Sequence, residues 1–182
     1  GDNLTTIAVS DTSIAADTLA ARIDSYDTIN VGSTTNMTLA SGATISVSSE
    51  AEITELLGDE SNNRLTISDQ KITLDAGTMT AANAKLLAAT TTGIVTGSIT
   101  TTERITALDD LVADGGINAF TIVINGADAT ACTAAQLNTV NDATTVAVNM
   151  NAVTALAASS LSALGTLATA ISNNEFSNGD NL

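Results

Sequence analysis

Three stretches of the chain read alike. They are IAVSDTSIAADTLAARIDSYDTINVGS from Ile7, ITLDAGTMTAANAKLLAATTTGIVTGS from Ile72 and IVINGADATACTAAQLNTVNDATTVAVNM from Ile122. Each runs through a β-branched segment, a polar turn, an Ala-Ala pair opening a helical pattern, a Thr/Asp-rich exit and a second β-branched segment. The starts lie 65 and 50 residues apart (72 − 7 and 122 − 72). A repeated unit of this size cannot bury its apolar face alone and must stack on its neighbours. The expected fold is therefore α/β, a solenoid of short parallel strands and short helices (β-helix-like or strand-helix repeat) with about six turns. The inner repeats fall at approximately 1–63, 64–118 and 119–178 of a single block. The tetrapeptide GDNL stands at both ends, so residues 179–182 are expected to begin the next block of a tandem array.

A second kind of unit lies between the three: SSEAEITELLGDE, TTERITALDDLVADGG and LAASSLSALGTLATAISNN. Ser49 with Glu52, and Thr100 with Glu103, have the spacing of a capping box, in which the two side chains satisfy each other's backbone N–H groups at a helix start. Apolar residues follow at helical spacing. They are Ile53, Leu56 and Leu57; Ile105, Leu108, Leu111 and Val112; Leu161, Leu164, Leu167 and Ile171. Ala15, Leu19 and Ile23, then Met79, Ala82 and Leu86, continue the pattern. All of these are expected to pack in a core. The segments LTTIAV, TINV, MTLASGATISVS, NRLTISDQKITL, TGIVTGSI, NAFTIVI and TTVAVNM read as strands, several alternating apolar with polar residues. The helices are too short, and a nucleotide loop is missing, for a doubly wound sheet.

Composition agrees with close stacking. The chain has two Phe, one Tyr, no Trp and no Pro, and its apolar residues are mostly Ala, Leu, Ile and Val. Small and β-branched side chains suit thin regular layers, and a Pro inside a stacked strand would lose a ladder hydrogen bond. Twenty acidic residues face five basic ones, a net charge of −15. Nucleic acid is an unsuitable partner, because phosphates need basic groups to neutralise them. An anionic membrane surface is disfavoured for the same reason, and no apolar run reaches spanning length.

Catalytic chemistry is hard to place, and no enzyme is expected. The chain has no His and a single Cys, Cys132. That removes Ser-His-Asp and Cys-His catalysis and zinc sites of the Cys/His type. Cys132 reads as a small buried apolar residue, not a reactive thiol. Neither phosphate-binding glycine motif is present. The acid pairs Asp59 and Glu60, Asp109 and Asp110, and Glu50 and Glu52 read as solvated or helix-end charges. A glycosidase would need two carboxyls across a sugar site. Four Asp-rich turns, VSDTS, NDATT, NGDNL and VADGGIN, fit turn chemistry. Weak calcium binding there is the one ion chemistry the sequence suggests, with no ligand set assigned. The Thr runs ATTTG and ITTTE are spaced too irregularly for an ice-binding ladder.

The pattern VSDTSIAADTL, with looser copies LDAGTMTAANAKLL and ADATACTAAQL, resembles the arrays of giant Ala/Thr/Asp-rich repetitive extracellular proteins of bacteria, marine cyanobacteria among them. Many of those carry calcium-binding nonapeptides of the G-G-x-G-x-D type, of which ADGGINAF and SNGDNL are fragments. The resemblance implies an extracellular or cell-surface location and a structural repeat of a filament, sheath or surface layer. Its expected partners are copies of itself or adjacent repeats, head to tail. The alternative is an adhesin stalk or a calcium- or glycan-binding module of a giant secreted protein.

Overall fold

The computed structural model describes residues 5–29, 35–111 and 117–177. Both GDNL copies, Val112, the turn NGDNL and most of VADGGIN lie outside them. The described residues form an α/β protein in which parallel strands alternate with helices. It divides into two compact units, Gly1–Gly77 with Leu86–Thr96, and Thr78–Lys85 with Gly97–Leu182.

In the first unit the elements are β1 (Thr6–Val9), β2 (Ser13–Ala15), α1 (Ala16–Ile29), β3 (Asn36–Leu39), β4 (Thr44–Val47), α2 (Glu50–Ser61), β5 (Leu65–Thr66) and β6 (Lys71–Leu74). Next come α3 (Ala81–Thr90) and β7 (Val95–Ser98), both of which straddle the division. Two parallel ladders form. One has the order β1-β3-β5, and the other runs β2-β4-β6-β7. The register follows the apolar pattern: Ile14 lies opposite Ile45, Ile45 opposite Ile72, and Ile72 opposite Val95. Ile45, Ile72 and Val95 are each 0% exposed. A slip by one residue would turn this row outward, so burial fixes the pairing. Gly42, at φ +65, makes the turn from β3 to β4. Helices α1 and α2 pack side by side, with Leu19, Ile23, Ile53 and Leu56 buried.

The second unit holds α4 (Ile105–Leu108), β8 (Ala119–Thr121), a 3-10 turn (Gly126–Asp128), α5 (Ala134–Asp142), β9 (Val148–Asn149), α6 (Leu161–Ser172) and β10 (Phe176–Ser177). Parallel bridges join Met79 to Ile99 and Val123 to Asn149, and β9 pairs with β10. Phe120, Ile122, Ile124, Leu137, Val140 and Met150 fill its core, and α5 packs on α6.

Two devices tie successive strand–helix segments together. In the first, a helix start is capped from the segment that follows. Ala81 N–H donates to Glu103 Oε1 at 3.0 Å, Ile105 N–H to Asp128 Oδ2 at 2.8 Å, and Ala134 N–H to Ser159 Oγ at 2.9 Å. In the second, a Thr pair clasps the backbone before it. Thr91 Oγ1 donates to Gln70 O and Thr92 Oγ1 to Ser68 O, and Gly93 N–H donates back to Thr91 Oγ1. Thr144, Thr145 and Val146 repeat this against Phe120 and Asn118. The Thr-rich exits of the second and third sequence repeats are hydrogen-bonding clasps.

Several expectations change. Thr28 and Ile29 of TINV are the last turn of α1. Short strands β2 and β10 appear where none was expected. Thr100 and Glu103 form a turn, and Glu103 caps α3 instead of its own segment. At α2, Ser49 caps Glu52 N–H as expected, but Glu52 reaches back to Ser48. The reciprocal capping box is Thr133 with Gln136. Helix α3 buries Ala81, Ala84 and Leu87, one step out of phase with the expected stripe, so Ala82 and Leu86 face solvent. Of the stripe on α6, Leu167 is buried, whereas Leu161 is 89% and Leu164 36% exposed. Ala15 is also exposed.

Candidate functional site

Among the described residues, each unit has a concave place. The more polar is a cleft of about 240 Å³ between α5 and α6 in the second unit. Helix α5 supplies Asn138, Asn141 and Asp142, and α6 supplies Thr166 and Thr169. Glu175 closes it from beyond α6. Its position follows from how α6 ends. Asn174 takes the left-handed conformation at φ 61, and Glu175 N–H then returns to Ala170 O at 3.0 Å. The Glu175 carboxylate accepts from Asn141 Nδ2 at 2.7 Å and from Asn173 Nδ2 at 3.2 Å. Asn138 Nδ2 donates to Ala163 O at 3.0 Å, while Asn138 Oδ1 is buried with no hydrogen-bond partner. Both threonine hydroxyls donate to helix carbonyls.

The second place is a groove of about 410 Å³ in the first unit, between β1, β2 and α1. Ile7, Val9, Ile14 and Met37 give it an apolar floor, with Asp11, Arg22 and Tyr26 also lining it. Of the four Asp-rich turns, VSDTS thus supplies this groove and NDATT supplies the cleft.

Asp59 and Cys132 are held inside the fold, away from both places. Asp59 is buried beside Arg64, which contacts three carboxylates: Asp24, Asp27 at 2.7 Å and Asp59 at 3.0 Å. Burial raises the Asp59 carboxyl above its ordinary range, and Arg64 opposes the rise only in part. Asp110 lies 4.0 Å from Lys85, and neither it nor Asp109 lines the cleft or the groove. Burial pushes the Cys132 thiol up to about 11, and the nearby Asp128 adds to the rise. Cys132 is 0% exposed and donates to Asp128 O, so it sits as a small core residue. Asp128 is also buried. It takes two guanidinium bonds from Arg104, at 2.8 and 2.6 Å, as well as the cap bond from Ile105. Arg104 holds its carboxyl below the ordinary range, against the effect of burial.

Among the described residues no group of three or more His, Cys, Asp or Glu gathers in a metal-binding arrangement, and no helix is long and apolar enough to cross a membrane. Sequence reasoning did not single out Asn138 or Glu175. The signal was the hexapeptide SNNRLT at 61–66 and its near copy SNNEFS at 172–177. No protein-family model, no curated protein and no solved structure matches the chain.

Proposed function

We propose that the chain is a structural repeat block of a long extracellular filament, sheath or surface layer, assembled head to tail, with its strand–helix segments wound as a solenoid of about six turns. The observation that carries this reading is the reach of the bonds that hold segments together. Side-chain hydrogen bonds span 21 residues from Thr91 to Gln70, 24 from Thr144 to Phe120, 25 from Asn138 to Ala163 and 28 from Ser41 to Asp69. Each is about the length of one strand–helix segment. A chain whose segments bond to the next segment along behaves as a one-dimensional stack. The parallel register favours the same reading. Among the described residues β1 stands at the end of one ladder and β10 at the end of another, and the outer side of such a strand is where a neighbouring copy would pair. A contact between two such ends on different copies is head-to-tail and does not close.

A chain of two blocks in tandem tests this by negative-stain imaging and sedimentation over a concentration series. Rods of one width, with length rising in proportion to block number and with concentration, are expected. Compact closed particles, or a two-block chain that does not lengthen, would overturn it.

A further inference from the structure

Helix α6 is more apolar than its burial explains. Its sequence, LSALGTLATAIS, carries no charged side chain, whereas α1, α2, α3 and α5 each carry at least one. A helix of that composition belongs in a core. Only Leu167 and Ala170 of it are buried, and Leu161 and Leu164 stand exposed.

The first unit has a concave place of matching chemistry. The groove between β1, β2 and α1 has Ile7, Val9 and Ile14 on its floor. Ile7 stands opposite Met37, which stands opposite Leu65; Ile14 stands opposite Ile45, which stands opposite Ile72. Met37 and Ile45 are buried, with a parallel strand on either side of each. Ile7 and Ile14 are half-buried, each the end member of its row among the described residues. Inside the chain these rows are continued by the strand of an adjoining segment, and α1 lies beside α2 as α5 lies beside α6. The surface that continues the same pattern is a further segment of the same kind, which a second copy brings.

The caps on the helix starts point to the same pairing. The first N–H groups of α3, α4 and α5 are each held by a side chain that leads into the next helix: Glu103 before α4, Asp128 before α5 and Ser159 before α6. In α6, Ser160 caps Ala163 N–H, but among the described residues no side chain from a following segment reaches Leu161 N–H. The stretch leading into α1 holds Asp11, exposed and lining the groove. We infer that this groove is the seat of α6 from a second copy. Leu161 and Leu164 set against Ile7, Val9 and Ile14, and the Asp11 carboxylate accepts from Leu161 N–H, where it also suits the positive end of the helix. The inference rests on the head-to-tail reading and names its two faces. The faces differ, so every copy carries one of each and the contact does not close.

The test uses the full 182-residue chain in about 0.3 M NaCl, which screens the net charge. Leu161→Glu spoils the helix face and Thr18→Glu spoils the groove. Both positions are exposed, so melting curves should match that of the parent. Leu164→Glu and Ala15→Glu, exposed on the same two faces, take their place if either variant melts early. By sedimentation velocity each variant alone should associate about tenfold or more weakly than the parent, because its contact now buries an unpaired charge. Mixed, the two should form a one-to-one dimer and nothing longer, since each keeps the face that the other has lost. Variants that lengthen like the parent would overturn the seat and leave the head-to-tail reading standing. So would a mixture that stays monomeric while the parent lengthens. A parent that stays monomeric in the same series would overturn the head-to-tail reading, and the seat with it.

Discussion

At the scale of single residues, the few charged groups inside the molecule act as joints between segments. Asp128 is the clearest, since one carboxylate holds Arg104 and caps Ile105. Asp128→Asn keeps the shape and one acceptor but removes the charge. The expected loss at pH 7 is about 1–3 kcal/mol, the range for a charge-assisted bond with a buried partner. The pH dependence has a fixed sign. Arg104 depresses the folded-state value below the unfolded one of about 3.9. The stabilisation is therefore full above about pH 4 and is lost as pH falls through the folded value. Urea unfolding at pH 7 and near pH 3 should show the gap between parent and variant narrowing in acid. A gap of the same size at both pH values would mean that the carboxylate charge contributes nothing. None of this was legible in the sequence, where Asp128 reads as one more acid in a turn, because its partners lie 23 and 24 residues away.

At the scale of elements, one close backbone approach between segments falls at a glycine. A Cβ at Gly93 would lie 2.3 Å from Gln70 O and 2.7 Å from Asp69 O, both backbone atoms. Gly93→Ala should cost about 1–3 kcal/mol as an overpacked contact that cannot move aside. Gly58 lies inside α2 with nothing within 4 Å of a new Cβ, so Gly58→Ala should instead stabilise by about 0.5–1 kcal/mol. Thermal melts of the two variants should move in opposite directions, and a shared direction would refute the stacking argument. The strands with alternating Ile, Val and Thr were legible, as Ile45 and Ile72 show, because period-two burial leaves a direct trace. The helix phases were less so. Ala-rich α3 has no strong stripe, so the burial of Ala84 and Leu87 is decided by the neighbours and not by its own pattern. The stripe on α6 is real, but Leu161 at its start is left 89% exposed among the described residues. The short strands β2 and β10 are set by pairing across the ladder, which local propensity does not record.

At the scale of the whole molecule, charge opposes the end-to-end contact proposed above. Every copy carries a net charge of −15, so two copies repel before any end contact forms. The reach of that repulsion is set by salt: about 30 Å at 0.01 M and about 10 Å at 0.1 M. An apolar strand-on-strand contact depends on much shorter distances and gains relative strength as the field collapses. End-to-end association is therefore expected to be suppressed near 0.01 M salt and to grow steadily toward about 0.3 M. Sedimentation velocity at fixed protein concentration would follow it as a rise in weight-average size. Screening needs no coordination, so choline chloride should act like sodium chloride. A response to calcium chloride alone would point to direct bridging of carboxylates by a divalent ion and not to general repulsion. Association that is strongest at low salt would point to faces of opposite charge and would refute an apolar end contact. A chain that stays monomeric across the whole series would remove the filament reading.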